Sequence, residues 1–245
     1  MIFHNYWKNL YKRTMSLAYE KAYTEIEKAI GNGSARVLDC GAYNGSCFFR
    51  FEDATGLSVN DYYGIEWNAD AAKTAQSNGL QVQQGDLNDV IPFDSGSFSV
   101  CYGLSVAEHL LRPCRWIREC QRILKDDGVF VVLTPNISNY FTVFQLLAGR
   151  MPSSGPYPDS NSLLNKAMLM NVNDSTADDI EDDNPVHRHH IIFSYLTLKR
   201  YLCEAGFKQV EGYGYGIYPF PGFAQPLFEK FDKIHCHQMV FVCRK

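Results

Sequence analysis

The spacing of apolar residues changes near residue 36 of the chain. In residues 6–30, Tyr, Leu, Ile and Ala recur at helical intervals up to the sequence GNGS, which predicts one or two N-terminal helices stopped by glycine. Beyond this point, short apolar runs alternate with helical stretches, and the runs are RVLDC (36–40), YYGIEW (62–67), LQVQQGD (80–86), FSVCYGLS (98–105) and GVFVVLTPN (128–136). Such alternation predicts a parallel sheet with crossover helices, whose ligand cleft lies at the carboxyl ends of the strands.

The regular pattern ends after Pro135 and returns later in the chain. Residues 149–185 are rich in Pro, Ser, Asn and Asp and exceed ordinary loop length, and their apolar cluster LLNKAMLM favours a partly helical lid over a disordered insertion. FSYLTLKRYLCEAGF (193–207) predicts a helix closed by Gly206, and HQMVFVCRK (237–245) predicts a strand, whereas EGYGYGIYPFPGFAQPLFEKF (211–231) is aromatic and typical of turns. We therefore expect one domain over residues 1–245, with a helical cover (1–35), a core (36–148), an insertion (149–186) and a C-terminal part (187–245).

Composition narrows the classes of function. The chain has 245 residues, of which 46% are hydrophobic and 20% charged, as in an ordinary globular protein. Its net charge of −4 gives no overall attraction to nucleic acid, so no nucleic-acid partner is expected. The N-terminus lacks the continuous apolar core of a secretion signal, and no run approaches the roughly 20 apolar residues of a membrane span, which predicts a cytoplasmic protein.

The spacing of cysteines and histidines in the sequence does not suggest a metal site. None of the eight cysteines belongs to a Cys-x-x-Cys pair, and most lie in apolar segments, so reduced thiols that fill the core are expected. The sequence HCH at 235–237 lacks partners at a convincing spacing and is interpreted as strand or loop. No metal ligand is therefore predicted.

The stretch VLDCGAYNGSCFF (37–49) combines a strand, a glycine turn and a helix start. A dinucleotide fingerprint G-x-G-x-x-G that starts at Gly41 would need glycine at Tyr43 and Ser46, so the match to nicotinamide oxidoreductases fails at two of three positions. The alternative pattern D-x-G-x-G-x-G is met by Asp39, Gly41 and Gly45, with Tyr43 as the exception. In this respect the chain resembles class I S-adenosylmethionine-dependent methyltransferases.

Tyr43 is compatible with this cofactor because S-adenosylmethionine has no pyrophosphate to lie against the loop. A side chain at the middle position is then tolerable over a methionine tail, although it would collide with a diphosphate. A left-handed backbone would strain tyrosine by about 1–2 kcal/mol, so the sequence predicts a negative φ at Tyr43.

The resemblance continues along the chain. Glu66 ends the second strand, where the family's acid accepts hydrogen bonds from both ribose hydroxyls, and Asp86 ends the third, where the acid accepts from the adenine amino group. A gapless block from the fourth strand onward then matches the family at Phe98, Glu108, His109, Leu110, Pro113, Glu119, Arg122, Leu124, Lys125, Gly128, Pro135 and Asn136. Ser99 replaces a common aspartate, and Asp127 replaces a common glycine.

The resemblance implies a complete fold and a cofactor site. The fold is α/β, a doubly wound and mostly parallel seven-stranded sheet of the Rossmann-like methyltransferase type, with N-terminal helices and an inserted lid. The cofactor is S-adenosyl-L-methionine. The implied cofactor-binding residues are Asp39, Gly41, Tyr43, Gly45, Glu66, Trp67, Asp86, Leu87 and Leu104.

Two histidines are the candidates for general bases. His109 follows the fourth strand, and His189 best fits the histidine that the family places before the sequence Phe-Ser, whereas His187 and His190 are additional. Each also has a structural interpretation: His109 as a helix-start residue that supports the loop, and His189 as a hydrogen-bonded structural histidine. A base is required only where the attacking atom carries a proton at neutral pH, as a hydroxyl does.

The expected activity is methyl transfer to a small-molecule, glycan or lipid-linked acceptor, with oxygen as the favoured attacking atom. The sequence TPNISNYFTVFQLLAGRMP (134–152) resembles a branch of the family often encoded with cell-envelope glycan enzymes. A methyltransferase-fold protein that binds the cofactor without turnover is the alternative, and a nicotinamide oxidoreductase ranks third. Acceptor identity and oligomeric state are not predicted.

Overall fold

The computed structural model describes residues 2–152 and 189–245. Most of the predicted insertion, residues 153–186, and the additional histidine at 187 lie outside the described residues. Within the described ranges, no helix combines the length and the apolar character needed to cross a bilayer.

The core of the fold is a seven-stranded sheet with the strand order β3-β2-β1-β4-β5-β7-β6. Strands β1 to β5 are mutually parallel, and β7 is antiparallel to both β5 and β6. The strands are β1 (Val37–Cys40), β2 (Tyr62–Glu66), β3 (Gln81–Gln84), β4 (Phe98–Leu104), β5 (Leu124–Pro135), β6 (Gln209–Tyr215) and β7 (Gln238–Arg244). The predicted fold class, a doubly wound and mostly parallel seven-stranded sheet, is confirmed.

Helices cover both faces of this sheet. They are α1 (Ile2–Ile30), α2 (Ser46–Thr55), α3 (Ala69–Ser77), α4 (Pro113–Ile123), α5 (Tyr140–Leu147), α6 (Tyr195–Glu204) and α7 (Gln225–Phe231). Short 3₁₀ turns lie at Val59–Asp61 and Ala107–His109. The predicted N-terminal helical segment is thus one long helix, and the helix predicted over 193–207 corresponds to α6.

Strand β6 contradicts the interpretation of residues 211–231 as turns. Gly212 and Gly214 interrupt the alternation of apolar residues in this strand, so the periodicity of the sequence did not predict it. A Cβ atom at Gly212 would collide with the rings of Tyr195 and Phe241, so glycine is required there for α6 to pack against the sheet. The prediction was wrong for this segment because close packing selected glycine inside a strand.

Alternate residues along the central strands face the two helical layers, as the period of a strand requires. In β5, Val131 and Leu133 belong to the core cluster on the face covered by α1, whereas Phe130 and Val132 belong to the cluster on the face covered by α4. Both sets are fully buried, and each large side chain contributes about 1.5–3 kcal/mol on burial. The central strands are therefore rigid supports for the loops at their carboxyl ends.

Helix α1 packs across β4, β5, β6 and β7. Near the middle of the helix, Nη1 of Arg13 lies 3.1 Å from Oε1 of Glu229. Further along, Arg50 of α2 lies within 2.9 Å of both Glu20 and Glu27. This anchoring brings the middle of α1 to the carboxyl ends of β4 and β5.

Candidate active site

The glycine turn after β1 is held against β2 by its backbone. The N–H of Gly41 donates to the carbonyl of Ile65 at 2.8 Å, and the φ angles of Gly41 and Gly45 are +81° and +78°. A Cβ atom at Gly41 would also lie 2.6 Å from Cγ2 of Val106. Glycine is thus needed at Gly41 for both its conformation and its close approach to the loop after β4.

Tyr43 has a φ of +48°, so the predicted negative φ is wrong. Its N–H donates to Oε2 of Glu66 at 2.8 Å, and this hydrogen bond to a carboxylate stabilises the left-handed conformation. The side chain is 63% exposed, so it projects away from the crowded turn. The conformation costs about 1–2 kcal/mol, which a hydrogen bond to a charged group, worth about 1.5–3 kcal/mol, offsets.

Glu66 is oriented by two backbone donors. Besides Tyr43, the N–H of Asn68 donates to its Oε1 at 2.7 Å, and the residue is buried. A carboxylate has about four lone-pair sites, so each oxygen can still accept a hydrogen bond from a ligand hydroxyl. The adjacent Trp67 is half exposed and caps this edge of the site. The fixed carboxylate is suited to a pair of neighbouring hydroxyls.

A cavity of about 170 Å³ follows the ends of β2 and β3. Ile65, Asp86, Val90 and Ile91 contribute to its lining. Oδ1 of the exposed Asp86 accepts from the N–H and the side-chain amide of Asn88 at 2.8 and 2.9 Å, which leaves Oδ2 available to a ligand. The cavity is smaller than the roughly 300 Å³ of a small ligand pocket, so it can enclose one part of a larger cofactor.

Two of the predicted cofactor-binding residues have side chains that are largely shielded from solvent. Leu87 is buried in the core beside this cavity, and Leu104 is half-buried at the end of β4. Their side chains therefore support the walls of the cleft more than they line its open part.

Asp39 is fully enclosed beneath the loop. Its Oδ2 accepts hydrogen bonds from the hydroxyls of Tyr62 and Tyr102 at 2.6 and 2.7 Å. Burial raises the pKa of Asp39 to about 7, although these two hydrogen bonds act in the opposite direction. The structure thus places Asp39 as an internal support of β1, with the predicted Gly41, Tyr43 and Gly45 gathered above it.

Glu108 lies in the 3₁₀ turn after β4 and is 2% exposed. Its Oε2 accepts from the Thr134 hydroxyl at 2.9 Å, while its carbonyl accepts from the N–H of His190 at 2.7 Å. Burial raises the pKa of Glu108 to about 7, and the hydrogen bonds from its own backbone and from Thr134 partly oppose this. Sequence reasoning aligned Glu108 with the family but did not select it as a site residue.

His109 and His189 meet at this end of the sheet. Their ring centroids are 5.0 Å apart in an edge-to-face arrangement, and both side chains are half-buried. His237 of the rejected HCH sequence is fully buried nearby, and burial, followed by the charge of His189, lowers its pKa to about 4. The two predicted general bases are thus neighbours in space although they are distant in sequence.

Helix α1 completes this end of the site with two tyrosines that sequence reasoning missed. The hydroxyl of Tyr19 donates to Oγ of Ser105 at 3.1 Å, and Ser105 itself has a φ of +57°. The ring of Tyr11 lies 5.7 Å from that of His237. Burial raises the pKa of both phenols, and the charge of Glu108 adds to this. No local motif signals these residues, because only the packing of α1 brings them here.

Other residues of the matching block are structural. Arg122 donates to the carbonyls of Ile91 and Phe93 at 2.9 and 2.8 Å, and its ion pair with Glu119 is 2.7 Å long. Asn136 donates to the carbonyls of Ile234 and Cys236 at 2.8 and 2.7 Å. These residues fasten the loops around the cleft and do not face it as reacting groups.

Comparison with known proteins adds independent findings. Residues 11–211 match the family model described as a methyltransferase domain. A 57-residue segment is 37% identical to a probable S-adenosylmethionine-dependent methyltransferase of Mycobacterium tuberculosis, over 23% of this chain and 20% of that protein. Over 137 residues, the chain is 28% identical to the ubiquinone/menaquinone biosynthesis C-methyltransferase UbiE of Citrifermentans bemidjiense, which covers 51% of this chain and 57% of that relative.

A solved structure extends the similarity to almost the whole fold. The S-adenosylmethionine-dependent methyltransferase from Archaeoglobus fulgidus superposes with a TM-score of 0.55 at 16% identity, over 92% of this chain and 94% of that one. At this identity the likeness concerns the fold alone. The chain spans about a fifth and somewhat more than half, respectively, of the two curated relatives.

Proposed function

Because the chain belongs to the family of class I S-adenosylmethionine-dependent methyltransferase domains, we propose that it moves a methyl group from S-adenosylmethionine to an acceptor oxygen. The family match agrees with the cofactor predicted from the sequence. The reacting atom of the acceptor is inferred from the site, and the class of acceptor from the sequence.

In this proposal the cofactor occupies the ends of β1, β2 and β3. The turn Gly41 to Gly45 passes beneath its methionine part, the Glu66 carboxylate accepts from the two ribose hydroxyls, and Asp86 accepts from the adenine amino group beside the cavity. The preset orientation of Glu66 supports this assignment, since both of its oxygens are already fixed by backbone donors at 2.8 and 2.7 Å. Charge-assisted hydrogen bonds from fixed acceptors cost little reorganisation on binding.

The acceptor then approaches from the side of Glu108, His109 and His189. One observation supports oxygen as the attacking atom. Two half-buried imidazoles lie at the carboxyl end of β4, with their ring centroids 5.0 Å apart. Imidazole titrates near neutral pH and is therefore suited to accept the proton of a hydroxyl. The relative UbiE is named a C-methyltransferase, but its match covers only 57% of its length, so its reacting atom is not transferred to this chain.

The reaction is a displacement at the methyl carbon. The acceptor oxygen forms the new O–C bond as the C–S bond breaks, the electron pair of that bond returns to sulfur, and the hydroxyl proton passes to imidazole. The chain contributes alignment of the two reactants and exclusion of water, which are the main sources of acceleration in such a transfer. We favour glycan, lipid-linked and small-molecule hydroxyls as acceptors, following the resemblance of residues 134–152.

The test is transfer of a labelled methyl group from S-adenosylmethionine into fractionated extracts of the source organism, followed by identification of the labelled atom. We expect label in a fraction of small molecules or glycans, as a methyl ether. Cofactor binding without label in any fraction would favour the binding protein without turnover, and label on carbon or nitrogen would refute oxygen as the attacking atom.

A further inference from the structure

Three side chains at the carboxyl end of β4 have the geometry of an incomplete coordination sphere. Glu108, His109 and His189 each offer one ligand atom, and these atoms all lie within 4.8 Å of one another. Ligands bonded to one first-row metal ion at about 2.1 Å are separated by about 3–4 Å, so movements of roughly an ångström would close the sphere. Sequence reasoning expected no metal site, and it assigned His109 and His189 only as candidate general bases.

The three donor side chains favour some divalent ions over others. Two imidazoles and one carboxylate favour divalent transition ions such as Mn²⁺, Fe²⁺, Co²⁺ and Zn²⁺, whereas Mg²⁺ prefers an all-oxygen shell. With three protein ligands the remaining positions stay open, as they do in catalytic sites and not in structural ones.

The surroundings of Glu108 favour a cation. The residue is 2% exposed, and its Oε2 is held by the neutral hydroxyl of Thr134 at 2.9 Å. This hydrogen bond fixes the carboxylate, in the manner of the outer groups that orient metal ligands. A divalent ion at this point would balance the negative charge of the buried carboxylate.

The backbone also holds the two chain segments together. The carbonyl of Glu108 accepts from the N–H of His190 at 2.7 Å, so the segment with His189 is fixed directly to the turn with Glu108 and His109. The three ligands are therefore linked by the main chain and not only by side-chain packing. A site that is held in this way loses little entropy when an ion enters it.

We propose that Glu108, His109 and His189 bind one divalent transition-metal ion, and that the acceptor hydroxyl occupies an open coordination position beside the methyl donor. The role in the reaction rests on the proposed function, whereas the binding of the ion does not. The ion lowers the pKa of the bound hydroxyl, whose proton is released to water. The resulting oxyanion attacks the methyl carbon, the C–S bond breaks, and its electron pair remains on sulfur. In the metal-bound chain, His109 and His189 act as ligands, and water replaces the imidazole of the proposed function as acceptor of the hydroxyl proton.

The first experiment measures binding of the ion alone. The full chain is freed of metal with a chelator and titrated with Co²⁺ by calorimetry and visible absorption, with Mg²⁺ as the contrasting ion. We expect one Co²⁺ per chain, with d–d bands characteristic of nitrogen and oxygen ligands, and much weaker binding of Mg²⁺. No Co²⁺ binding would overturn the proposal, and so would a cobalt–thiolate charge-transfer band, which would place the ion at the buried thiols of Cys40, Cys101 and Cys120.

Matched variants locate the ion. Glu108→Gln and His189→Asn should each weaken Co²⁺ by at least about tenfold, given that even outer-shell changes cost about 10–100-fold. His190→Gln is the control, because its side chain is exposed and its backbone hydrogen bond to Glu108 is retained, so its affinity should match that of the unaltered chain. Retained affinity for S-adenosylmethionine shows that each variant is folded, and unchanged Co²⁺ affinity in folded Glu108→Gln would refute the site.

Activity separates this proposal from the proposed function. Methyl transfer that is abolished by the chelator and restored by Mn²⁺ or Co²⁺ supports both. Full methyl transfer by the metal-free chain would leave the methyltransferase assignment intact and refute the metal site.

Discussion

The two halves of the cleft are built in different ways. In the proposed function, the cofactor half consists of Gly41, Gly45, Glu66 and Asp86, which lie at or within a few residues of the ends of β1, β2 and β3 and are fixed by hydrogen bonds with nearby backbone groups. The acceptor half, at the ends of β4 and β5, joins Tyr19 of α1, Glu108, His109 and His189 from segments that are distant in sequence. The first is a local product of strand ends, and the second depends on the tertiary fold.

The difference extends to electrostatics. Asp86 is exposed to solvent, whereas Glu108 is 2% exposed and its pKa is raised to about 7 by burial. A carboxyl whose pKa is about 7 can change its charge during a reaction at neutral pH. Substitutions in the cofactor half should therefore alter affinity, and those in the acceptor half should alter the rate.

The largest expected effect lies in the acceptor half. His109→Asn removes an imidazole that, bare or bound to a cation, supports loss of the hydroxyl proton, and we expect methyl transfer to fall by about 10²–10⁴-fold. Cofactor affinity by calorimetry should stay within about twofold, because His109 lies outside the cofactor half. His235→Asn is the matched control, since this histidine is paired with Asp232 at 2.8 Å away from the cluster. Equal loss of affinity and rate in His109→Asn would show that the two halves are not separable.

Glu66→Ala should produce the opposite pattern. Loss of hydrogen bonds from a carboxylate to two ribose hydroxyls weakens S-adenosylmethionine by roughly 1.5–3 kcal/mol, and Asp86→Ala should cost less because Asp86 is solvated. Titration calorimetry of the folded variants measures both. Unchanged affinity in Glu66→Ala would remove this residue from the site.

Asp39 gives a pH-dependent stability. Its folded-state pKa of about 7 lies above the ordinary value of 3.8, so the protonated form favours folding: this contribution is complete below pH 3.8 and is lost as pH rises through 7. Asp39→Asn mimics the protonated group and should lose the dependence. Between pH 5 and pH 8, the free energy of unfolding of the variant relative to the unaltered chain should rise by roughly 2 kcal/mol. Chemical denaturation at both pH values measures this, and parallel curves would contradict it.

Tyr43→Gly should have the smallest effect. Glycine adopts a positive φ without the strain of tyrosine, so the free energy of unfolding should increase by about 1 kcal/mol. The Tyr43 N–H that holds Glu66 remains, and cofactor affinity should stay within about tenfold, roughly 1.4 kcal/mol. Thermal unfolding and calorimetry on the same sample measure the two effects. Complete loss of cofactor binding in the folded variant would mean that the tyrosine side chain is itself a ligand.

The positions that depart from the family's glycines show what the sequence could predict. Tyr43 and Asp127 replace glycine, and both retain a positive φ, +48° and +63°. The parallel sheet followed from the alternation of strands and helices, which is local, and the cofactor followed from the resemblance of the turn and strand-end residues to the family. The predicted negative φ at Tyr43 was wrong because the backbone strain is compensated by a hydrogen bond to Glu66, which belongs to another strand.

The parts of the site that sequence missed have the same physical cause. Tyr11 and Tyr19 reach the acceptor half only because α1 packs across four strands, and no spacing along the chain encodes that contact. Strand β6 was missed because Gly212 is fixed by the neighbouring rings of Tyr195 and Phe241 and not by strand propensity. The sequence thus offered His109 and His189 as candidates, whereas only tertiary packing brings Tyr11 and Tyr19 to the acceptor half.

The most direct test is thermal unfolding of the unaltered chain with S-adenosylmethionine or its demethylated product, S-adenosylhomocysteine. A ligand that binds only the folded state at a hundredfold excess over its dissociation constant stabilises it by about 2.7 kcal/mol, so the melting temperature should rise clearly with both compounds. NAD at the same concentration should leave it unchanged. No shift with either methyl donor or product at millimolar concentration would contradict the methyltransferase account.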